Sequence, residues 1–127
     1  MAGKFEIKVN DKGTYRFSLN AGNGEVIAVS QQYASIAACK KGVESVRKNA
    51  VDAKLEDQTV EGYEALTNPK FEVYTDKAGE FRFRLKARNG EIIATGEGYT
   101  KKASCLNGID SIRRNAPEAA LVDLSEA

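Results

Sequence analysis

The chain has 127 residues, 42% hydrophobic and 29% charged, which fits one globular domain with a real core and excludes a disordered chain. Lys plus Arg number 19 against 18 Asp plus Glu, and the resulting net charge of +1 argues against a chain that is basic overall for nucleic acid. Histidine is absent and only two cysteines are present, so neither a histidine-based catalytic site nor a four-ligand structural zinc site can be assembled from this chain alone.

In chain order, Met1 to Lys8 lacks an apolar signal core, and no apolar run of about 18 residues follows. The expected location is therefore the cytoplasm, with reduced cysteines and no membrane contact. Phe5, Ile7 and Val9 alternate with Lys4, Glu6 and Lys8, the period of a half-buried strand. Asn10-Asp11-Lys12-Gly13 is turn chemistry, and Tyr15, Phe17 and Leu19 alternate with polar residues in a second strand. Asn23-Gly24 is a hairpin signal, because both residues tolerate positive φ. A third strand is predicted over 25–29. The period then turns helical through Ile36, Cys39, Val43, Val46 and Ala50, with Ser35 as N-cap and Arg47 and Lys48 in the last turn. A short strand is expected around 54–58, followed by a linker over 59–69 with Gly62, Asn68 and Pro69.

From Lys70 the chain starts again. Lys4-Phe5-Glu6 returns as Lys70-Phe71-Glu72, an offset of 66 residues that holds without a gap. Arg16-Phe17 returns as Arg82-Phe83, and Asn23-Gly24-Glu25-Val26-Ile27-Ala28 as Asn89-Gly90-Glu91-Ile92-Ile93-Ala94. Tyr33, Cys39 and Gly42 match Tyr99, Cys105 and Gly108, and the run Ser45 to Ala50 matches Ser111 to Ala116. The second helix carries Leu106, Ile109, Ile112 and Ala116, with Thr100 as its expected N-cap, Arg113 and Arg114 in its last turn and Pro117 stopping it. A last strand is expected at 120–124. The pattern is α+β: a β-β-β-α-β unit over about 4–58, a linker over about 59–69, and the unit again over about 70–124, fused as one pseudo-two-fold domain.

The ordered set Arg-Phe-x-Leu, Asn-Gly-Glu-Val/Ile-Ile-Ala, Tyr, Cys, Gly-Val/Ile-Glu/Asp-Ser-Val/Ile-Arg and Asn-Ala resembles the YegP-like family of small, mostly bacterial proteins across nearly the whole chain. The resemblance implies one continuous antiparallel sheet shared by both units, two helices on one face and C-terminal strands exchanged between repeats. It implies no catalytic residues.

The residues themselves offer few chemical candidates. Cys39 and Cys105 read either as a redox pair across the pseudo-two-fold or as two small core side chains, and the second reading is expected in a reducing compartment. Gly42 and Gly108, inside helices, read as close packing. Tyr33 and Tyr99 read as packing at the helix entries. Glu25 and Glu91 follow matched turns and would make an acid/base pair only if brought together. Arg16, Arg82, Arg84, Lys86 and Arg88 form a row on the sheet face opposite the helices, where a polyanion could bind. Glu6, Glu72 and Glu80 on the same strands favour a solvated face with cross-strand ion pairs. The leading expectation is a non-enzymatic cytoplasmic interaction module, monomeric because fusion replaces a dimer, with no metal or cofactor and with a protein as partner. Nucleic-acid binding through the basic row is the second reading. A small-molecule site or enzyme between the repeats is the third, expected to show as a pocket of about 300 Å³ with converging polar groups.

Overall fold

A computed structural model describes residues 3–126. Strands β1 (Lys4–Val9), β2 (Tyr15–Asn20) and β3 (Val26–Val29) precede helix α1 (Ile36–Asp52) and strand β4 (Lys54–Asp57). Strands β5 (Lys70–Thr75), β6 (Phe81–Lys86) and β7 (Ile92–Thr95), helix α2 (Lys102–Asn115) and strand β8 (Ala120–Asp123) repeat the order. The eight strands form one sheet, β4-β5-β6-β7-β3-β2-β1-β8.

The alternation read from the sequence sets the register. Phe5 lies opposite Leu19 and Ile7 opposite Phe17, and in the second repeat Phe71 lies opposite Leu85 and Val73 opposite Phe83. These side chains are all buried and form one face with Ala28 and Ala94. Both helices lie on it. Arg47 of α1 stacks 5.3 Å over Phe5, and Arg113 of α2 stacks 5.2 Å over Phe71. The halves join at the sheet centre through a short β3–β7 contact, Val29 opposite Thr95.

The C-terminal strands are exchanged: β4 of the first repeat pairs with β5, and β8 of the second pairs with β1. Both outer pairings are parallel, so the sheet is mixed where a purely antiparallel one was expected. Parallel neighbours need a crossover of about a dozen residues, because the chain must return to the end where it started. Residues 58–69 make that return from β4 to β5.

Local chemistry departs from the sequence reading at three further places. The second helix is capped by Lys101 without a side-chain bond, not by Thr100; Lys101 matches Ser35, whose hydroxyl does accept from the Ala38 amide at 3.1 Å. Helix α1 runs on to Asp52, which leaves Arg47 and Lys48 short of its last turn. In the hairpins only the glycines take positive φ, 89° at Gly24 and 85° at Gly90. Asn23 and Asn89 instead accept from the Glu25 and Glu91 amides, each at 3.0 Å.

Candidate functional site

The outer sheet face does not present a free row of cations. In the second repeat the crossover lies over it. Its Leu66 amide donates to Glu56 at 2.6 Å, and Lys54 of β4 donates to its Thr67 hydroxyl at 3.0 Å. Beneath it Glu56, Lys70 and Glu72 are buried. Lys70 bridges the two carboxylates, at 2.6 Å from Glu56 and 3.2 Å from Glu72. Burial alone would raise the Glu56 carboxyl, but hydrogen bonds from Lys70, Gln58 and the Leu66 amide outweigh it and hold Glu56 at about 2.

Two of the five predicted cations, Arg84 and Lys86, join this cluster. Arg84 donates to Glu72 at 2.5 Å and stacks 4.6 Å over Tyr74, and Lys86 lies 3.4 Å from Glu72. Arg82 pairs with Asp76 at 2.6 Å, and Arg88 with Asp52 at 3.5 Å at an exposed site. Arg16, on β2 of the first repeat, is the member of the row without an ion pair among the described residues. Sequence reading missed the cluster because its anchor departs from the repeat: Glu56 is matched by Val122, and Arg84 and Lys86 by Ser18 and Asn20.

The matched residues on the helix side are packed against the sheet. Cys39 and Cys105 are free and fully buried, and desolvation pushes both thiols to about 11. Tyr33 stacks on Phe17 with centroids 6.3 Å apart, and its hydroxyl fills the space over Gly42. A Cβ at Gly42 would lie 2.4 Å from that hydroxyl oxygen, and one at Gly108 would lie 2.8 Å from that of Tyr99. The helical glycines thus admit the tyrosines. Burial raises the phenol of Tyr33, with Glu91 of the other repeat adding to the effect; Tyr99 is raised by burial, with Glu25 contributing.

Two grooves form where the repeats cross. In one, Ser45, Lys48 and Asn49 of α1 face Ala87, Arg88 and Asn89 of the β6–β7 hairpin across ≈ 390 Å³. In the other, Ser111, Arg114 and Asn115 of α2 face Ala21, Gly22 and Asn23 of the β2–β3 hairpin across ≈ 760 Å³. These six positions in each groove correspond at the 66-residue offset, whereas Lys41 and Glu44 line the first groove alone and Glu118 the second alone. Both grooves are open to solvent. Beside the first, a recess of ≈ 240 Å³ shares Lys41 and adds Tyr33 and Glu91. Asn49 donates to the Ser45 carbonyl at 2.8 Å and its hydroxyl at 3.0 Å, and Asn115 makes the same clasp with Ser111 at 2.8 and 3.1 Å. The matched runs Asn-Gly-Glu and Ser-x-x-Lys/Arg-Asn, distant in sequence, meet only through the crossing of the repeats.

Comparison with known proteins agrees with this architecture. The sequence matches a domain of unknown function, DUF1508, twice, over residues 10–57 and 76–123. It is 36% identical over 124 residues to the UPF0339 protein in the ptx operon 5' region of Stutzerimonas stutzeri, covering 98% of each chain. It is 64% identical over 55 residues to a UPF0339 protein of Treponema denticola, covering 43% of this chain but 95% of that one, which therefore has the length of one repeat. The solution NMR structure of yegP from E. coli, a protein of unknown function, superposes with a TM-score of 0.82 at 32% identity, covering 100% of this chain and 97% of that one.

Proposed function

The chain belongs to the DUF1508 family, whose function is unknown, and on that premise we propose that it is a non-enzymatic cytoplasmic binding module holding a small polar ligand between its repeats. The supporting observation is the pair of inter-repeat grooves built from matched residues. Each exceeds the roughly 300 Å³ of a small-molecule site, and each brings hydroxyl, amide and cationic groups together with one carboxylate, Glu44 or Glu118. The groups suit binding better than catalysis. The Ser45 hydroxyl accepts from the Asn49 amide, which cannot take its proton, and Glu44 is drawn to Arg47 at 3.2 Å. Nucleic-acid binding is supported less, since four of the five row cations already have carboxylate partners.

The test is an amide NMR titration with a metabolite fraction below about 1 kDa, a range that contains the small polar molecules a groove of this volume could hold. Saturable shifts are expected at residues 41–49 and 87–91. Lys48→Ala, at an exposed position, is expected to weaken them roughly tenfold, the weight of one charged hydrogen bond. Shifts confined to other surfaces, or unchanged affinity in the variant, would remove this reading. The module acts as a monomer in this proposal, because both exchanged strands find partners within one chain. Light scattering should return the monomer mass at all concentrations, and a stable dimer would refute it.

A further inference from the structure

The second repeat contains its own template for a ligand site in the first. In the β5–β6 turn, Asp76 Oδ1 accepts from the Ala78 and Glu80 amides at 2.9 and 3.0 Å, and its Oδ2 accepts from Arg82 Nε at 2.6 Å. A carboxylate oxygen thus sits beside the arginine. In the first repeat the matched turn residue is Asn10. Its Oδ1 caps the turn in the same way, accepting from the Lys12 and Thr14 amides at 3.0 Å each. Its other head atom is then Nδ2, a donor, where Asp76 offers an acceptor.

The partners change sign with it. Arg16 matches Arg82, but the residue directly opposite Arg16 is Lys8, where Tyr74 stands opposite Arg82. Like charges directly opposite one another on neighbouring strands repel. Among the described residues neither Lys8 nor Arg16 has a carboxylate in ion-pair range. Thr14 donates its hydroxyl to Gln32 Oε1 at 3.1 Å, which leaves the Gln32 amide nitrogen as a further donor. Lys8, Asn10, Thr14, Arg16 and Gln32, with Val9 as the apolar member, surround a recess of ≈ 130 Å³, large enough for one oxyanion group and too small for a whole nucleotide.

We propose that this recess between β1, β2 and Gln32 binds a phosphate monoester or free phosphate, which gives Arg16 the counter-charge that the Asp76 carboxylate gives Arg82 in the second repeat. Two cations without counter-charge match a phosphate dianion better than a carboxylate, and the guanidinium of Arg16 offers it a planar fork. The site lies on the open face of the first repeat and does not depend on the inter-repeat grooves.

The probes are inorganic phosphate, phosphoserine and acetate, each titrated at constant ionic strength and followed by amide NMR. Phosphate and phosphoserine are expected to shift residues 8–16 and 32 along one saturable curve, at least threefold tighter than acetate. Phosphoserine binding tighter than phosphate would mark an esterified ligand, and equal affinity a free anion; both support the site. Asn10→Asp should abolish binding without disturbing the fold, because Asp caps the same turn at position 76. Arg16→Gln should weaken it at least tenfold. Shifts spread over lysines elsewhere, acetate binding as tightly as phosphate, or Asn10→Asp leaving affinity unchanged would each overturn the proposal.

Discussion

Replacing Gly96 with Ala is expected to lower the unfolding free energy by about 3 kcal/mol, at the upper end for an overpacked core. A Cβ at Gly96 would lie 2.3, 2.4 and 2.8 Å from three ring carbons of Phe83. That ring has no room to move. Phe83 is 0% exposed, and it meets Phe71 edge-on with centroids 6.2 Å apart. The prediction runs against the repeat, because the position matching Gly96 is Ser30. In the first half the Ser30 hydroxyl accepts from the Phe17 amide at 2.9 Å, so a side chain is accommodated there. Gly96→Ser, which makes the halves read alike, should therefore be as damaging as Gly96→Ala. Chemical denaturation gives the answer. A change within about 0.5 kcal/mol, the range of an ordinary surface substitution, would show that Phe83 is not held where it is described.

The second large effect is expected at Glu56. Glu56→Gln removes one charge of a buried cluster and leaves Lys70 with Glu72 alone, 3.2 Å away. Breaking a buried pair by removing one partner costs about 3–5 kcal/mol, and the remaining carboxylate places this case near 3. The loss should depend on pH with a definite sign. The Glu56 carboxyl lies at about 2 in the folded protein against 4.5 as its ordinary value. A depressed carboxyl contributes stability that is fully present above the unfolded value and lost as pH falls through the folded one. The gap between wild type and Glu56→Gln should thus be constant near neutrality and close between about pH 4.5 and 2. Protease cutting within the crossover should also quicken in the variant, since Glu56 ties down the Leu66 amide. An equal gap at pH 7 and pH 2.5 would remove the cluster from the explanation.

Most of the fold was legible in the sequence because its signals are local and doubled. Alternation at Phe5, Ile7, Phe17 and Leu19 fixes which face is buried, and the second copy repeats it. What could not be read depends on direction in space. No period in residues 59–69 says that they lie across a sheet; that follows only from the parallel pairing of β4 with β5. The basic row was legible as a row, and so was its cross-strand pairing with Glu72; the burial of that part of the face was not, because Glu56 arrives from a strand of the other repeat. A pocket between the repeats was expected as the third reading, but its lining residues were not named, although the matched Asn-Gly-Glu and Ser-x-x-Lys/Arg-Asn runs marked the walls. The departures between copies carried more than was taken from them. Asn10 against Asp76 and Val122 against Glu56 are single letters that change the charge of a turn and of a sheet face.

The exchange of outer strands has a consequence during synthesis. Of the eight strands of the sheet, β1 leaves the ribosome before the others and β8 after them. At about 5–20 residues per second, the outer edge of β1 waits roughly 5–20 s for its neighbour. Through that interval the nascent chain offers an unpaired strand edge to every other chain nearby, a template on which a second copy could pair.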